Sequence, residues 1–360
     1  MIFLSVGLPG RFATWCDTVI ARLAAILDPN VALISWPTTA NMFGYQDLES
    51  GLDVLAQALI RENPAHLVMG ARQPDEQLRL ALLEERTPLV LALDDPRNAC
   101  REFLIEGGAS VRQAVRAVAN SCPLVMRYAS LPGALTLHAE SVATDPLAAV
   151  ASIAAHFGFQ VDSVELERIV ADLAENGPFV TADRTEELPV DERRTIDGAL
   201  SGYAEHFAGR NLGGLVWRRE LFALAQDGSQ SPTDVLDISG PPRILIYGPY
   251  IHLPPGSWSA RIVLGFSEAA VGHSFNVDAF SGEPLVSRTI RPDSSGVHAT
   301  DIVFSAPAAQ GQGVELRVWV VDGVRNGELA FGYAVLHQIF EDQELTFVQS
   351  QDDFKAALLL

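Results

Sequence analysis

The spacing of apolar residues changes along this 360-residue chain, and the change constrains the fold more than any single motif. In the first part, short apolar runs such as Ile2–Val6 alternate with stretches of helical spacing such as Val111–Tyr128. After residues 227–242, which are rich in Ser, Pro, Asp and Gly, apolar residues recur at every second position, as in Trp258–Phe266. The chain is therefore expected to contain two regions of different fold class.

The two patterns predict an α/β domain followed by an all-β domain. Buried strands separated by helices favour a parallel sheet flanked by helices, with right-handed crossovers, over residues 1–226. Residues 227–242 are predicted to be a linker. Short alternating strands between turn residues are typical of an antiparallel β-sandwich or jelly roll, here over residues 243–342, and residues 343–360 are left as a C-terminal tail.

Four local predictions accompany this division. Helical spacing predicts a helix over Leu48–Arg61. Asp145 as N-cap, Pro146 in the first turn and Gly158 at the end predict a second helix. The polar residues 174–195 are predicted to be a loop, and Gly214–Leu224 a short helix.

Composition excludes some classes of function. The 45 acidic and 25 basic residues give a formal charge of −20, which repels a phosphate backbone, so nucleic-acid binding is not expected. Three cysteines without metal-type spacing predict reduced thiols, no metal site and a cytoplasmic location. The opening residues lack the cationic start of a signal peptide, and no apolar run approaches the roughly 20 residues that span a bilayer.

The segment from Ser5 to Trp15 reads as a strand, a glycine-containing turn and the start of a helix. Backbone N–H groups at such a turn and the helix dipole together favour an anion. The candidate anion-binding residues are Gly7, Pro9, Gly10, Arg11 and Thr14. The alternative is an ordinary strand-to-helix turn that binds nothing.

This segment resembles the 5′-phosphosulfate loop of sulfotransferases, in which a strand ends in Pro-(Lys/Arg)-Ser-Gly-Thr-(Thr)-Trp. Pro9, Thr14 and Trp15 occupy matching positions. Gly10, Arg11 and Phe12 depart from the pattern, since they stand where the cation, the Ser and the Gly belong.

Two later segments are similar to the same family in the same order, and the likeness extends over residues 1–225. Leu91–Arg97 resembles the Arg-Asp-Pro-Arg strand end that leads to the 3′-phosphate site. Leu135–Glu140, followed by Asp145-Pro146 and a helix, resembles the family's Glu-containing segment.

The resemblance implies 3′-phosphoadenosine 5′-phosphosulfate (PAPS), or its product PAP, as cofactor. It also implies a degenerate site, because Asp94 replaces the phosphate-binding Arg and Glu102 stands about where a Ser belongs. Arg97 and Arg101 are the candidates that would substitute as phosphate ligands. No catalytic base is assigned; the histidines that qualify by type are His66, His138 and His156.

In the second region, Tyr247–Trp258 resembles β-sandwich modules attached to bacterial glycosyltransferases and other exopolysaccharide proteins. Sugars stack on aromatic faces and are bound by paired hydrogen bonds from Asp, Asn and Arg. The candidate carbohydrate-binding residues are Tyr250, Trp258, Asn276, Asp278, Arg317 and Trp319. Trp258 alternates with Ala260 and Ile262, so a core position is the competing prediction for it.

These features favour a sulfotransferase-like, non-catalytic protein that binds carbohydrate and acts in bacterial surface or exopolysaccharide synthesis or modification. One alternative is an active sulfotransferase that moves a sulfuryl group from PAPS to a sugar hydroxyl. Another is a scaffold that self-associates or docks to a polysaccharide-synthesis enzyme.

Overall fold

The structure is a computed structural model that describes residues 1–35, 64–72, 76–175, 188–228, 230–232, 235–307 and 313–340. The predicted helix over Leu48–Arg61 and the predicted tail lie outside the described residues. The chain divides into two compact units, Met1–Thr185 with Tyr203–Arg210, and Glu186–Gly202 with Asn211–Leu360.

The first unit contains a five-stranded sheet with helices between its strands. Its elements are β1 (Ile2–Gly7), α1 (Arg11–Leu27), β2 (Val31–Ser35), β3 (His66–Ala71), α2 (Glu76–Glu85), β4 (Leu89–Leu93), α3 (Pro96–Gly107), α4 (Val111–Tyr128), β5 (Ala134–His138), α5 (Ala139–Thr144), α6 (Pro146–Phe157) and α7 (Ser163–Glu175). The strands are parallel in the order β2-β3-β1-β4-β5. The predicted parallel α/β class is confirmed.

Capping residues fix the ends of two helices that flank this sheet, α3 and α6. The side chain of Asp95 caps α3 by accepting a hydrogen bond from the Arg97 N–H at 2.8 Å. Asp145 caps α6 through the Ala148 N–H at 2.9 Å, and Gly158 ends that helix at φ 76°, in the left-handed region. The start and stop predicted for α6 are therefore confirmed.

The core of the first unit lies between the sheet and its helices. β1, β3 and β4 are buried along almost their whole length, and α1 presents Val19, Ile20 and Leu23 to the sheet. The three cysteines are buried free thiols, and burial raises the pKa of each.

One ion pair is buried at the end of β1 and β3. Asp17 of α1 pairs with Arg72, which follows β3, and burial raises the pKa of Asp17. The carboxylate lies against the backbone of Gly70, where a Cβ atom would be 2.3 Å from Asp17 Oδ2. Glycine is therefore required at position 70 by close packing.

Helix α8 (Val190–Phe207) follows, and its residues belong partly to each unit. Helix α7 extends to Glu175 and α8 begins at Val190, so the predicted loop 174–195 was wrong over its first and last residues.

The second unit contains two antiparallel sheets. Its strands are β6 (Leu215–Arg218), β7 (Ala223–Leu224), β8 (Leu236–Asp237), β9 (Arg243–Ile251), β10 (Gly256–Phe266), β11 (Phe275–Ser281), β12 (Glu283–Ile290), β13 (Gly296–Ala306), β14 (Val314–Val320) and β15 (Glu328–Ile339). One sheet has the order β13-β10-β15-β6, with β8 also paired to β15, and the other has the order β12-β11-β14-β9-β7. The predicted β-sandwich class is confirmed.

The helix predicted over Gly214–Leu224 was wrong. Leu215–Arg218 is a strand that pairs antiparallel with β15, and Ala223–Leu224 pairs with β9. Leu215 and Trp217 are fully buried while Val216 and Arg218 are half-buried, which is the alternation of a strand. Pairing with strands distant in sequence therefore overrides the local preference.

Within the described ranges, no helix is both long enough and apolar enough to cross a membrane.

The packing at Gly70 predicts a specific loss of stability. Gly70→Ala should lower the free energy of unfolding by about 1–3 kcal/mol, because the new methyl group meets the buried Asp17 carboxylate. Urea denaturation followed by circular dichroism measures the loss. Gly108→Ala is the control, since its Cβ would meet nothing within 4 Å and only its φ of 61° opposes the change. A loss at position 70 no larger than at position 108 would contradict the packing account.

Candidate functional site

The opening turn and the end of β4 lie next to each other in the first unit. β1 and β4 are neighbouring parallel strands, with Gly7 opposite Ala92. A Cβ atom on Gly7 would lie 2.7 Å from the carbonyl oxygen of Ala92, so glycine allows this close approach. Both segments meet at the carboxyl-terminal edge of the sheet, where open α/β sheets bind their ligands.

The N-terminus of α1 is occupied by a side chain of the same unit. Gly10 precedes the helix and provides no side-chain cap. The Arg11 N–H instead donates a hydrogen bond to Glu102 Oε2 at 2.7 Å. Glu102 comes from α3 and is only 9% exposed. A carboxylate therefore sits where the helix dipole and the backbone N–H attract an anion.

The remaining residues of the turn form local contacts. Pro9 is buried, and the exposed Thr14 donates its hydroxyl to the Gly10 carbonyl at 3.1 Å. Arg11 is exposed. Of the five residues predicted for this turn, Gly7 and Pro9 are buried, Thr14 contacts the Gly10 carbonyl, and Arg11 is exposed.

The two arginines predicted as substitute phosphate ligands are on α3. Arg97 is held on Asp95, with Nε 2.9 Å from Oδ1 and Nη2 2.5 Å from Oδ2. Arg101 donates from Nη1 to Asn98 Oδ1 at 3.1 Å. The bidentate edge that Arg97 would offer to a phosphate therefore already holds a carboxylate of its own helix.

Asp94 adds a buried acid at the end of β4. Its Oδ1 accepts hydrogen bonds from the Asp95 N–H at 2.7 Å and from Asn98 Nδ2 at 3.4 Å. The pKa of Asp94 is raised to about 6, chiefly by burial and also by the negative charges of Asp95 and Glu140, while its hydrogen bonds from the Asp95 N–H and Asn98 oppose the rise. The end of β4 is therefore an acidic environment.

Only one candidate histidine lies at this edge among the described residues. His138 ends β5 and is exposed. His66 begins β3 and packs its ring 5.7 Å from that of Phe3, at the opposite edge of the sheet. His156 lies near the start of β4, where it interacts with the backbone of Leu89. Burial lowers the pKa of His156.

Two features of this edge were not predicted from the sequence. The Glu102–Arg11 contact joins residues 91 positions apart, and no local pattern announces it. The Asp17–Arg72 pair had a signal, because Asp17 interrupts the apolar stripe of α1.

Four predicted carbohydrate-binding residues of the second unit lie on one face, and three of them form a cluster there. In β11 and β14, Asn276, Asp278, Arg317 and Trp319 point away from the apolar core side formed by Val277, Ala279 and Val318. Asp278 is opposite Arg317, and Asn276 is opposite Trp319. We call this side of the sheet β12-β11-β14-β9-β7 the outer face.

Asp278 is the centre of the cluster. Arg317 donates to it from Nε at 2.8 Å and from Nη2 at 3.1 Å, and Trp319 donates from Nε1 at 3.0 Å. The Arg317 guanidinium lies 4.0 Å from the ring centre of Phe280 and 5.4 Å from that of Trp319. The polar and aromatic groups are therefore held in fixed positions.

Two tyrosines of β9 lie beside Arg317, and Asn276 lies on the outer face next to β12. Tyr247 is opposite Arg317 in β9, and its ring is 5.9 Å from that of Tyr250. Tyr250 has a φ of 64°, which a non-glycine residue adopts at a cost and which often marks a functional position. Asn276 Oδ1 accepts a hydrogen bond from the Thr289 hydroxyl at 2.7 Å.

Trp258 is not part of this face. It lies in the other sheet, its exposed fraction is 0%, and its Nε1 donates to the Pro254 carbonyl at 2.9 Å. The prediction that Trp258 contacts a sugar was therefore wrong, because alternation with Ala260 and Ile262 places it in the core.

Across the described ranges, no group of three or more His, Cys, Asp or Glu side chains is arranged to hold a metal ion.

Comparison with known proteins gives no family model and no curated protein that matches this chain. Among solved structures, mouse sulfotransferase SULT7A1 complexed with PAP aligns at 14% identity over 54% of this chain and 80% of that chain, with a TM-score of 0.37. A sulfotransferase from Alicyclobacillus acidocaldarius aligns at 12% identity over 58% and 96%, with a TM-score of 0.35. A family 35 carbohydrate binding module from Clostridium thermocellum aligns at 9% identity over 35% and 99%, with a TM-score of 0.25.

Proposed function

We propose that this chain is a carbohydrate-binding, sulfotransferase-like protein that does not use a phosphosulfate donor and that acts in bacterial surface or exopolysaccharide synthesis or modification. The observation that carries the proposal is the carboxylate of Glu102 on the N-terminus of α1, 2.7 Å from the Arg11 nitrogen. The role in polysaccharide synthesis comes from the sequence resemblance of the sandwich segment.

A donor phosphate at this helix N-terminus would compete with Glu102. Two like charges about 4 Å apart repel by about 4 kcal/mol at an effective dielectric constant near 20. That energy corresponds to nearly three orders of magnitude in a dissociation constant. Because Glu102 is buried, water screens this repulsion poorly.

Sulfuryl transfer would also need cationic groups where negative charge develops, and a general base for the acceptor hydroxyl. Arg97 reaches such a position only after release from Asp95, and the buried Asp94 lies at the end of β4. These contacts favour the non-catalytic proposal over active transfer.

The outer face of the second unit supports carbohydrate binding. Trp319 and Tyr250 are half-buried aromatic side chains, and the cluster around Asp278 holds the Trp319 ring in place. An aromatic ring fixed in this way offers a face to the apolar side of a sugar without losing rotational entropy on binding.

The donor prediction is tested with PAP and isothermal titration. The natural chain should give no binding in the micromolar range, whereas Glu102→Ser should bind PAP at least tenfold more tightly, since the blocking carboxylate is removed. Glu167→Gln is the control, because it changes the net charge by the same amount at an exposed position of α7. Micromolar binding of PAP to the natural chain would overturn the proposal.

The acidic end of β4 gives a prediction for the pH dependence of stability. The folded-state pKa of Asp94 is raised from 3.8 to about 6, so its contribution favours folding at low pH and is lost as the pH rises through about 6. Asp94→Asn should therefore be more stable than the natural chain at pH 8, by about 3 kcal/mol at most, and the difference should shrink at pH 4.5. Thermal unfolding of both proteins at both pH values measures this difference in stability. A difference that does not change with pH would contradict the raised pKa of Asp94.

The glycan-binding face is tested by a pair of tryptophan variants. For an oligosaccharide that the natural chain binds on an array, Trp319→Ala should weaken the affinity at least tenfold, because the stacking face is lost. Trp258→Phe should lower the melting temperature without changing glycan affinity, since Trp258 is in the core. Oligosaccharide-array binding followed by titration separates the two effects. Unchanged affinity in Trp319→Ala would exclude the outer face as the site.

A further inference from the structure

We infer that the glycan held by the outer face carries no carboxylate or sulfate groups. The inference rests on the proposed carbohydrate binding and specifies its ligand class. It follows from how the charges of the outer face are paired, and in particular from Arg317.

Arg317 is the cation of this face in β11 and β14, and internal carboxylates already hold it. Its Nε and Nη2 bind Asp278, and its Nη1 lies 3.6 Å from Glu315 Oε1. One flat side of the guanidinium covers the Phe280 ring. A ligand carboxylate would have to displace Asp278 or Glu315 to obtain the paired hydrogen bonds that Arg gives an acid.

On the described strands β11 and β14, the outer face carries more carboxylates than cations. Asp278 and Glu315 contribute two carboxylates, and Arg317 contributes one guanidinium. The neighbouring outward positions, Ser287 and Tyr247, are uncharged. An acidic sugar would therefore approach two carboxylates and one guanidinium on these two strands.

Burial makes this charge effective against an acidic ligand. The side chains of Asp278, Glu315 and Arg317 are 9%, 6% and 14% exposed. Water screens charges weakly at such positions, and like charges brought together at an interface cost several kcal/mol. Breaking the Asp278–Arg317 pair would also leave a buried charge uncompensated.

The groups that remain suited to a ligand are apolar or neutral. Trp319 is held by its Nε1 donor to Asp278, which leaves its ring as a stacking surface. The hydroxyl-bearing residues Tyr247 and Tyr250 lie beside it along β9. These groups suit a neutral sugar chain, which presents hydroxyls and an apolar ring face.

The test uses the full chain and three pairs of glycans that share a backbone and differ in acidic groups. The pairs are methyl-esterified and free oligogalacturonate, dextran and dextran sulfate, and unsubstituted xylan and glucuronoxylan. For each pair of which the chain binds at least one member, the acid-free member should bind at least tenfold more tightly in 50 mM salt. The gap should narrow but persist in 500 mM salt, because added ions screen the part of the repulsion that acts through solvent and leave the part that acts between buried groups.

Glu315→Gln is the variant that isolates the charge. It removes one carboxylate at nearly constant shape, so the preference for the acid-free member should fall at least threefold relative to the natural chain. Glu283→Gln is the control, because it removes an exposed carboxylate at the start of β12. If Glu315→Gln does not fold, the salt dependence of the natural chain still decides the question.

The outcomes separate this inference from the proposed function. Tighter binding of the acidic members, or a gap that does not respond to salt, overturns the inference and leaves carbohydrate binding intact. Retention of no glycan in any pair, nor on a wider array, overturns the proposed function itself.

Discussion

The chemistry of the first unit depends on how the N-terminus of α1 is satisfied. The first N–H groups of a helix have no partner within it and attract negative charge. Here the strand-turn-helix that would present these groups to a phosphate is intact, with Gly7 packed against Ala92 of β4. The buried carboxylate of Glu102 accepts the Arg11 N–H from the same unit. A position suited to an external anion is thereby filled by an internal one.

The same principle of internal pairing recurs elsewhere. Arg97 is bound to Asp95, and Arg72 to the buried Asp17. In the second unit Arg317 is bound to Asp278. Each of these guanidinium groups has a carboxylate partner, and because breaking such a pair leaves an uncompensated charge, the pairing reduces what the group offers to an acidic ligand. Aromatic faces are then the surfaces that remain suited to binding.

The sequence predicted those parts of the fold that depend on local pattern. The limits of α6 were predicted from Asp145, Pro146 and Gly158, because helix capping depends on neighbouring residues. The adjacency of the opening turn and the end of β4 followed from parallel strands buried on both faces. Leu215–Arg218 was mistaken for helix because its partner β15 lies more than a hundred residues away. Glu102 was recognised as a carboxylate of a degenerate site, but its hydrogen bond with the Arg11 N–H was not predicted, since side-chain contacts between distant segments have no local signature.

The proposal that Glu102 occupies the N-terminus of α1 is best tested by a crystal structure of the full chain soaked with PAP at millimolar concentration. It predicts that Glu102 Oε2 stays within hydrogen-bond distance of the Arg11 nitrogen and that no phosphate lies at the N-terminus of α1. A phosphate bound to the Arg11 N–H, with Glu102 turned away, would contradict it.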